Sequence, residues 1–315
     1  MAHDYLPEGR LLHTPENRAR CAGLRPLAEA MEGQTVLEGT ALLCDENHDL
    51  LVRLPSGLTG RIPRAECALG VAEGATREIA ILSRVGKPVS FMVQSLEGES
   101  GLLLSRRRAQ EAALDHILSA WSPGQIVPAT VTHLDPFGAF VDVGCGVPSL
   151  IGIDRLSVSR IPHARERLQV GQEILAAVLD LDREKGRVSL TLRELLGTWQ
   201  ENAALFRPGV TIPGVVRGVR DYGIFVELTP NLSGLAEFSP GVREGDRYSV
   251  YLKAIQPERM KLKLLLIDPL PREAPPMELR YFVKDGILDR WVYPPEGCHK
   301  AGGETVFRSE TMVRL

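Results

Sequence analysis

Short apolar runs with alternating sides, cut by Gly and Pro, dominate the chain from residue 34 onward. Alternation at period two predicts strands with one face inward, and strands this short and this close predict small barrels or sandwiches. The first group is expected at 36–42, 50–54, 57–63, 88–93 and 101–105. A second group falls at 126–132, 138–143, 149–153, 174–179 and 187–192, and a third at 210–216, 223–228, 234–238, 248–255 and 260–266. The second and third share one order: three strands, a connection, then a closing hairpin. Helical spacing instead marks 14–33, with Thr14 as N-cap, Pro15 in the first turn, a break at Pro26 and a stop at Gly33. It also marks 106–118 and, more briefly, 193–206.

One strand signature recurs. Pro136-Phe137-Gly138-Ala139-Phe140-Val141-Asp142-Val143 sets an aromatic at a turn just before an alternating strand. Asp221-Tyr222-Gly223-Ile224-Phe225-Val226-Glu227-Leu228 repeats it about 85 residues later. A degenerate copy, His48-Asp49-Leu50-Leu51-Val52-Arg53-Leu54, lies about 89 residues earlier. Three copies imply three modules. The expected division is a helical segment 1–33, a degenerate module 34–106, a linker helix 107–120, a module 121–196, a linker 197–206 and a module 207–268. A Pro-rich linker, a β-hairpin and a tail fill 269–315, the hairpin turning at Lys284-Asp285-Gly286 between 279–283 and 287–293.

The second and third modules resemble the S1-type RNA-binding domain, the module repeated in bacterial ribosomal protein S1. The resemblance rests on Pro123-Gly124 and Pro208-Gly209, on the two aromatic strands, and on Arg187-Val188-Ser189-Leu190-Thr191-Leu192. The first module looks like the degenerate N-terminal repeats of that family, through Gly60-Arg61-Ile62-Pro63 and Leu104-Ser105-Arg106-Arg107-Arg108. Together these matches cover about 34–268. The resemblance implies three tandem five-stranded OB-type barrels, so the fold expected is mainly β, the barrels joined by short helices and followed by the β-hairpin read above. It also implies an RNA face of two aromatics, a His on the third strand and an Asp/Arg pair near the last hairpin.

Carried over, the aromatics are Phe137 and Phe140, then Tyr222 and Phe225. Asp182 and Arg187 supply the pair in module two; Arg259 stands in module three, where Gln256 replaces the Asp. Gly152 and Glu237 hold the His position, and both depart from the family pattern. His48 and Leu51 leave module one without a platform. Neighbouring cations extend the face: His133 and Arg193 in module two, and Arg217, Arg220, Lys261 and Lys263 in module three. Rings stack bases at ~1–3 kcal/mol each without sequence preference, and cations neutralise phosphate. Two features stay open: Arg106-Arg107-Arg108 reads equally as a solvated helix start or a phosphate patch, and His163 as an RNA contact or, preferably, a cap.

Composition modifies this picture slightly. The 315 residues carry a net charge of −3, which counts mildly against nucleic acid unless charge is local. Five scattered cysteines contain no Cys-x-x-Cys pair and suit reduced thiols in the cytoplasm. No signal peptide and no apolar run of membrane-spanning length is read from the sequence. Catalytic motifs are absent, and Cys298-His299 lacks further ligands, so neither an enzyme nor a cofactor or metal is expected. The expectation is a cytoplasmic, monomeric binder of single-stranded RNA, with mRNA on the small ribosomal subunit as its setting and module one docking on ribosomal protein. The alternatives are a protein-interaction scaffold and an accessory subunit of an RNA-processing complex.

Overall fold

The computed structural model describes residues 5–96, 101–273, 278–298 and 303–307. Two helices, α1 (Pro15–Arg20) and α2 (Leu24–Glu32), precede barrel one. Thr14 caps α1 by accepting from the Asn17 N–H, and Gly33 ends α2. The break falls at Cys21–Gly23 rather than at Pro26, which sits in the first turn of α2, where its missing N–H costs nothing.

Barrel one contains β1 (Leu37–Cys44), β2 (Leu50–Arg53), β3 (Thr59–Ile62), a short helix α3 (Ile79–Leu82), β4 (Pro88–Ser95) and β5 (Leu103–Ser105). Helix α4 (Arg106–Ala120) then leads to barrel two: β6 (Ile126–Asp135), β7 (Gly138–Asp142), β8 (Pro148–Gly152), β9 (Glu173–Asp182) and β10 (Arg187–Thr191). A 3-10 turn and α5 (Trp199–Ala203) connect to barrel three: β11 (Thr211–Arg220), β12 (Gly223–Thr229), β13 (Leu232–Ala236), β14 (Arg247–Gln256) and β15 (Lys261–Leu270).

Each group closes into a five-stranded barrel in which the third strand pairs parallel with the fifth and the first closes on the fourth. Closure requires the first strand to serve two neighbours. A bulge does this at the same place in each barrel: Ala41/Leu43, Val131/His133 and Val216/Gly218. Inward positions fill the cores with residues such as Phe91, Val141 and Val226.

Neighbouring barrels are joined by buried charge. Residues 5–12 run between barrels one and two. The backbone N–H groups of Gly9, Leu11 and Leu12 donate to Glu38, and the Glu8 N–H donates to Asp142 at 2.7 Å. The Glu8 carboxylate is paired with Arg106 at 2.6 Å and Arg84 at 3.3 Å. Arg107 pairs with Glu66 and Glu111. Two of the three consecutive arginines are therefore structural, which neither reading of that run anticipates. Between barrels two and three, Arg167 and Glu227 form a completely buried pair at 2.6 Å.

The C-terminal segment departs from expectation. Asp285-Gly286 does turn, but its flanks do not pair with each other. The Gly286 carbonyl accepts from Ile126, Leu288 donates to Gly124, and Ile287 bridges Gln125. The hairpin is instead β16 (Arg290–Val292) with β17 (Glu304–Val306), so part of the expected tail is a strand. This segment straps barrel two to the linker and to barrel three, where the Tyr293 hydroxyl donates to the Asn231 carbonyl. His299, half of the adjacent Cys-His pair, lies outside the described residues.

Candidate nucleic-acid interface

The two aromatic stretches occupy equivalent places. Phe140 faces Leu150 on β8, which faces Ser189 on β10. Phe225 faces Leu235 on β13, which faces Lys263 on β15. Both rows point outward from their barrels. The turn ring stands edge-on to the strand ring in each: Phe137 and Phe140 at 5.8 Å and 88°, Tyr222 and Phe225 at 6.1 Å and 89°. Such edge-to-face pairs hold each other's orientation. Phe137 is 55% exposed and Tyr222 70%, so neither ring belongs to a core.

The glycine after each turn aromatic is dictated by packing. A Cβ on Gly138 would lie 2.3 Å from the Ile151 carbonyl oxygen, and one on Gly223 would lie 2.6 Å from that of Ala236. Both glycines also have φ near +150°, which side chains disfavour. The chain can thus pass close to the third strand only with Gly, and this lifts the preceding ring into solvent.

Around Phe140, the His133 ring lies 6.2 Å away, and its Nε2 is 3.4 Å from Asp135. Arg187 stands directly across from Asp182 on the closing hairpin. Asp182 accepts from the Lys185 N–H, which holds its carboxyl below the usual range, and its second oxygen meets the Lys185 ammonium at 3.4 Å. Arg187 is exposed and has no ion-pair partner among the described residues. In barrel three the same cross-strand position pairs Lys261 with Gln256. Lys261, Lys263 and Arg259 are exposed, and Arg220 reaches Glu244 only at 3.9 Å.

In sequence, residues 122–193 match the S1 RNA binding domain family. Barrel two resembles an S1 domain. Small ribosomal subunit protein bS1 of Leuconostoc lactis is 35% identical across 54% of this chain and 44% of its own length. The corresponding protein of Neisseria meningitidis serogroup B is 32% identical across 71% of this chain and 39% of its own. The chain thus spans less than half the length of these curated relatives. Among solved structures, a chain of the a/eIF2alpha-aDim2p-rRNA complex from Pyrococcus horikoshii OT3 is 28% identical over 28% of this chain and 52% of that one, with a TM-score of 0.24.

Two expected S1-face residues belong elsewhere. The Arg217 Nε is 2.7 Å from Glu227, its Nη1 meets Glu166, and its side chain is nearly buried; it joins the seam between barrels two and three. Arg193 binds Glu194 at 3.0 Å, donates to Asp154 and Thr305, and lies over the Trp291 ring, so it anchors the C-terminal strand. His163 accepts from the Arg165 N–H through Nδ1, the capping role. In barrel one, His48 is 3.4 Å from Glu78 and no aromatic pair forms among the described residues. At the departing S1 positions, Gly152 lies across from Gly138, while Glu237 is 3.4 Å from Lys253.

Phe238, 52% exposed just after β13, is not among the residues expected at the face. It matches Ile153 of barrel two, whose N–H donates to the Phe137 carbonyl. An aromatic that follows an outward Glu, at a place where barrel two has only Ile, was the available signal.

Proposed function

We propose that this chain binds single-stranded RNA through the outer faces of barrels two and three. The observation that carries this reading is the duplicated pair of edge-on rings, in register on both barrels and flanked by exposed cations. Bases stack on the rings and phosphates meet Arg187 on one barrel, and Arg259, Lys261 and Lys263 on the other. No group on these faces has to change protonation or form a bond, so the reading is non-catalytic. The S1 resemblance supports a finer setting: mRNA held at the small ribosomal subunit in the cytoplasm. Barrel one fits docking on a ribosomal protein, since Ile79, Leu82 and Val85 are exposed apolar residues on its surface.

Filter binding of a short uridine oligomer at two salt concentrations tests the reading. The unchanged chain binds at low salt and weakens as salt rises. Phe137→Ala and Tyr222→Ala each lower affinity roughly tenfold, and the double variant loses more than either. An unchanged affinity in the double variant, or no binding at low salt, overturns it.

A further inference from the structure

Position 142 of barrel two and position 227 of barrel three are the same place in the two barrels: Asp142 pairs with Thr130, and Glu227 with Val215. Both are outward residues two places beyond the strand aromatic, and both are covered by what precedes them in the chain. At barrel three the cover is complete. Arg167 and Arg217 close directly on Glu227. At barrel two the cover is the thin irregular segment of residues 5–12, through the Glu8 N–H. Beside it a cleft of about 710 Å³ remains between the barrels.

That cleft is continuous with the aromatic platform. Phe140, Leu150 and Arg187 line one side, while Leu69, Ala80 and Arg84 of barrel one line the other. Its volume lies within the roughly 300–1,000 Å³ of ligand-sized pockets. Its walls combine flat apolar surface with cationic rims, the pair of properties a nucleotide demands. One detail points to an anionic ligand: Arg187 has no carboxylate partner among the described residues. The carboxylate at the back, Asp142, already accepts from the N–H groups of Glu8, Gly144 and Gly146 and spends its oxygens within the protein. Ala80 on α3 and Ser83 at its C-cap face the cleft while Ile79 and Leu82 stay exposed.

We propose that an RNA strand held on Phe137 and Phe140 continues into this cleft, so that barrel one, which lacks rings of its own, supplies the second wall of the RNA site on barrel two. A base inserts between Phe140 and Leu150 on one side and Leu69 and Ala80 on the other. Its phosphates face Arg187. This extends the RNA reading above and depends on it.

The experiment is photocrosslinking of a 4-thiouridine oligomer of about 12 nucleotides to the unchanged full chain, with mass spectrometry of the linked peptides. The expected crosslinks fall both on 133–142 and on 68–84. Crosslinks on 133–142 without any on 68–84 overturn the cleft, leave it to a protein ligand, and leave the RNA reading standing; no crosslink at all overturns both. In parallel, Ala80→Trp fills the cleft. It is expected to weaken binding of the same oligomer roughly tenfold, the loss of about one stacked base, at an unchanged melting temperature. Full affinity in a folded Ala80→Trp chain overturns the proposal.

Discussion

At the scale of single residues, backbone geometry fixes the site before any ligand arrives. Gly138→Ala would drive a methyl into the Ile151 carbonyl oxygen, in a conformation that alanine disfavours. The expected outcome is a loss of about 1–3 kcal/mol in urea unfolding, together with weaker RNA binding, because Phe137 moves with its neighbour. Residues of this kind are legible in a sequence: Phe137-Gly138 and Tyr222-Gly223 carry local chemistry, and local chemistry decides which way a turn residue points. Arg193 and Arg217 are not. Each looks like a free surface cation within its own stretch, yet Arg217 meets Glu166 and Arg193 meets Thr305, partners brought near only by the tertiary fold. A sequence shows residue type and side of strand, but not what another barrel places against that side.

At the scale of elements, nearly every barrel strand could be read from period-two alternation, because each barrel has one buried face, whereas the barrel arrangement came with the S1 resemblance. The C-terminal hairpin could not be placed. Asp285-Gly286 is a sound turn signal, but its neighbours bond to residues 124–126 at the start of barrel two instead of to each other. The segment of residues 5–12 was equally silent, since it has no periodicity and is held by carboxylates. Burial pushes the Glu38 carboxyl up to about 7, and burial with the nearby Glu8 does the same to Asp142. Burial alone would also raise Glu8, but Arg106 and Arg84 outweigh it and hold Glu8 low. Glu38 faces Glu8, Ser90 and the N–H groups of Gly9, Leu11 and Leu12, while Asp142 faces Glu8, Arg106 and the N–H groups of Gly144 and Gly146. From their ordinary values of 4.5 and 3.8 up to about 7, the folded chain keeps protons that the unfolded chain has released. Stability contributed by these two groups therefore falls across that interval and is flat above it. Denaturant midpoints are expected to be higher at about pH 5.5 than at about pH 8.

At the scale of the whole molecule, the seam between barrels two and three governs how the chain behaves as a unit. Arg167→Ala leaves Glu227 buried with Arg217 as its remaining guanidinium partner, and a loss of about 3–5 kcal/mol is expected in urea unfolding. Small-angle scattering of a variant that still folds is expected to show a wider spread of distances between the barrels. The C-terminal strap adds a second tie across the same seam through Tyr293 and Asn231. Two sites joined this way are not like two sites on a flexible tether, where a longer ligand gains affinity gradually as more of its conformations span the gap. Here the gap is fixed. On the proposed reading, an RNA strand too short to bridge it is expected to gain nothing from the second barrel, and one just long enough the whole of it. Affinity plotted against strand length is therefore expected to rise in a step, with the position of the step reporting the distance between the two pairs of rings.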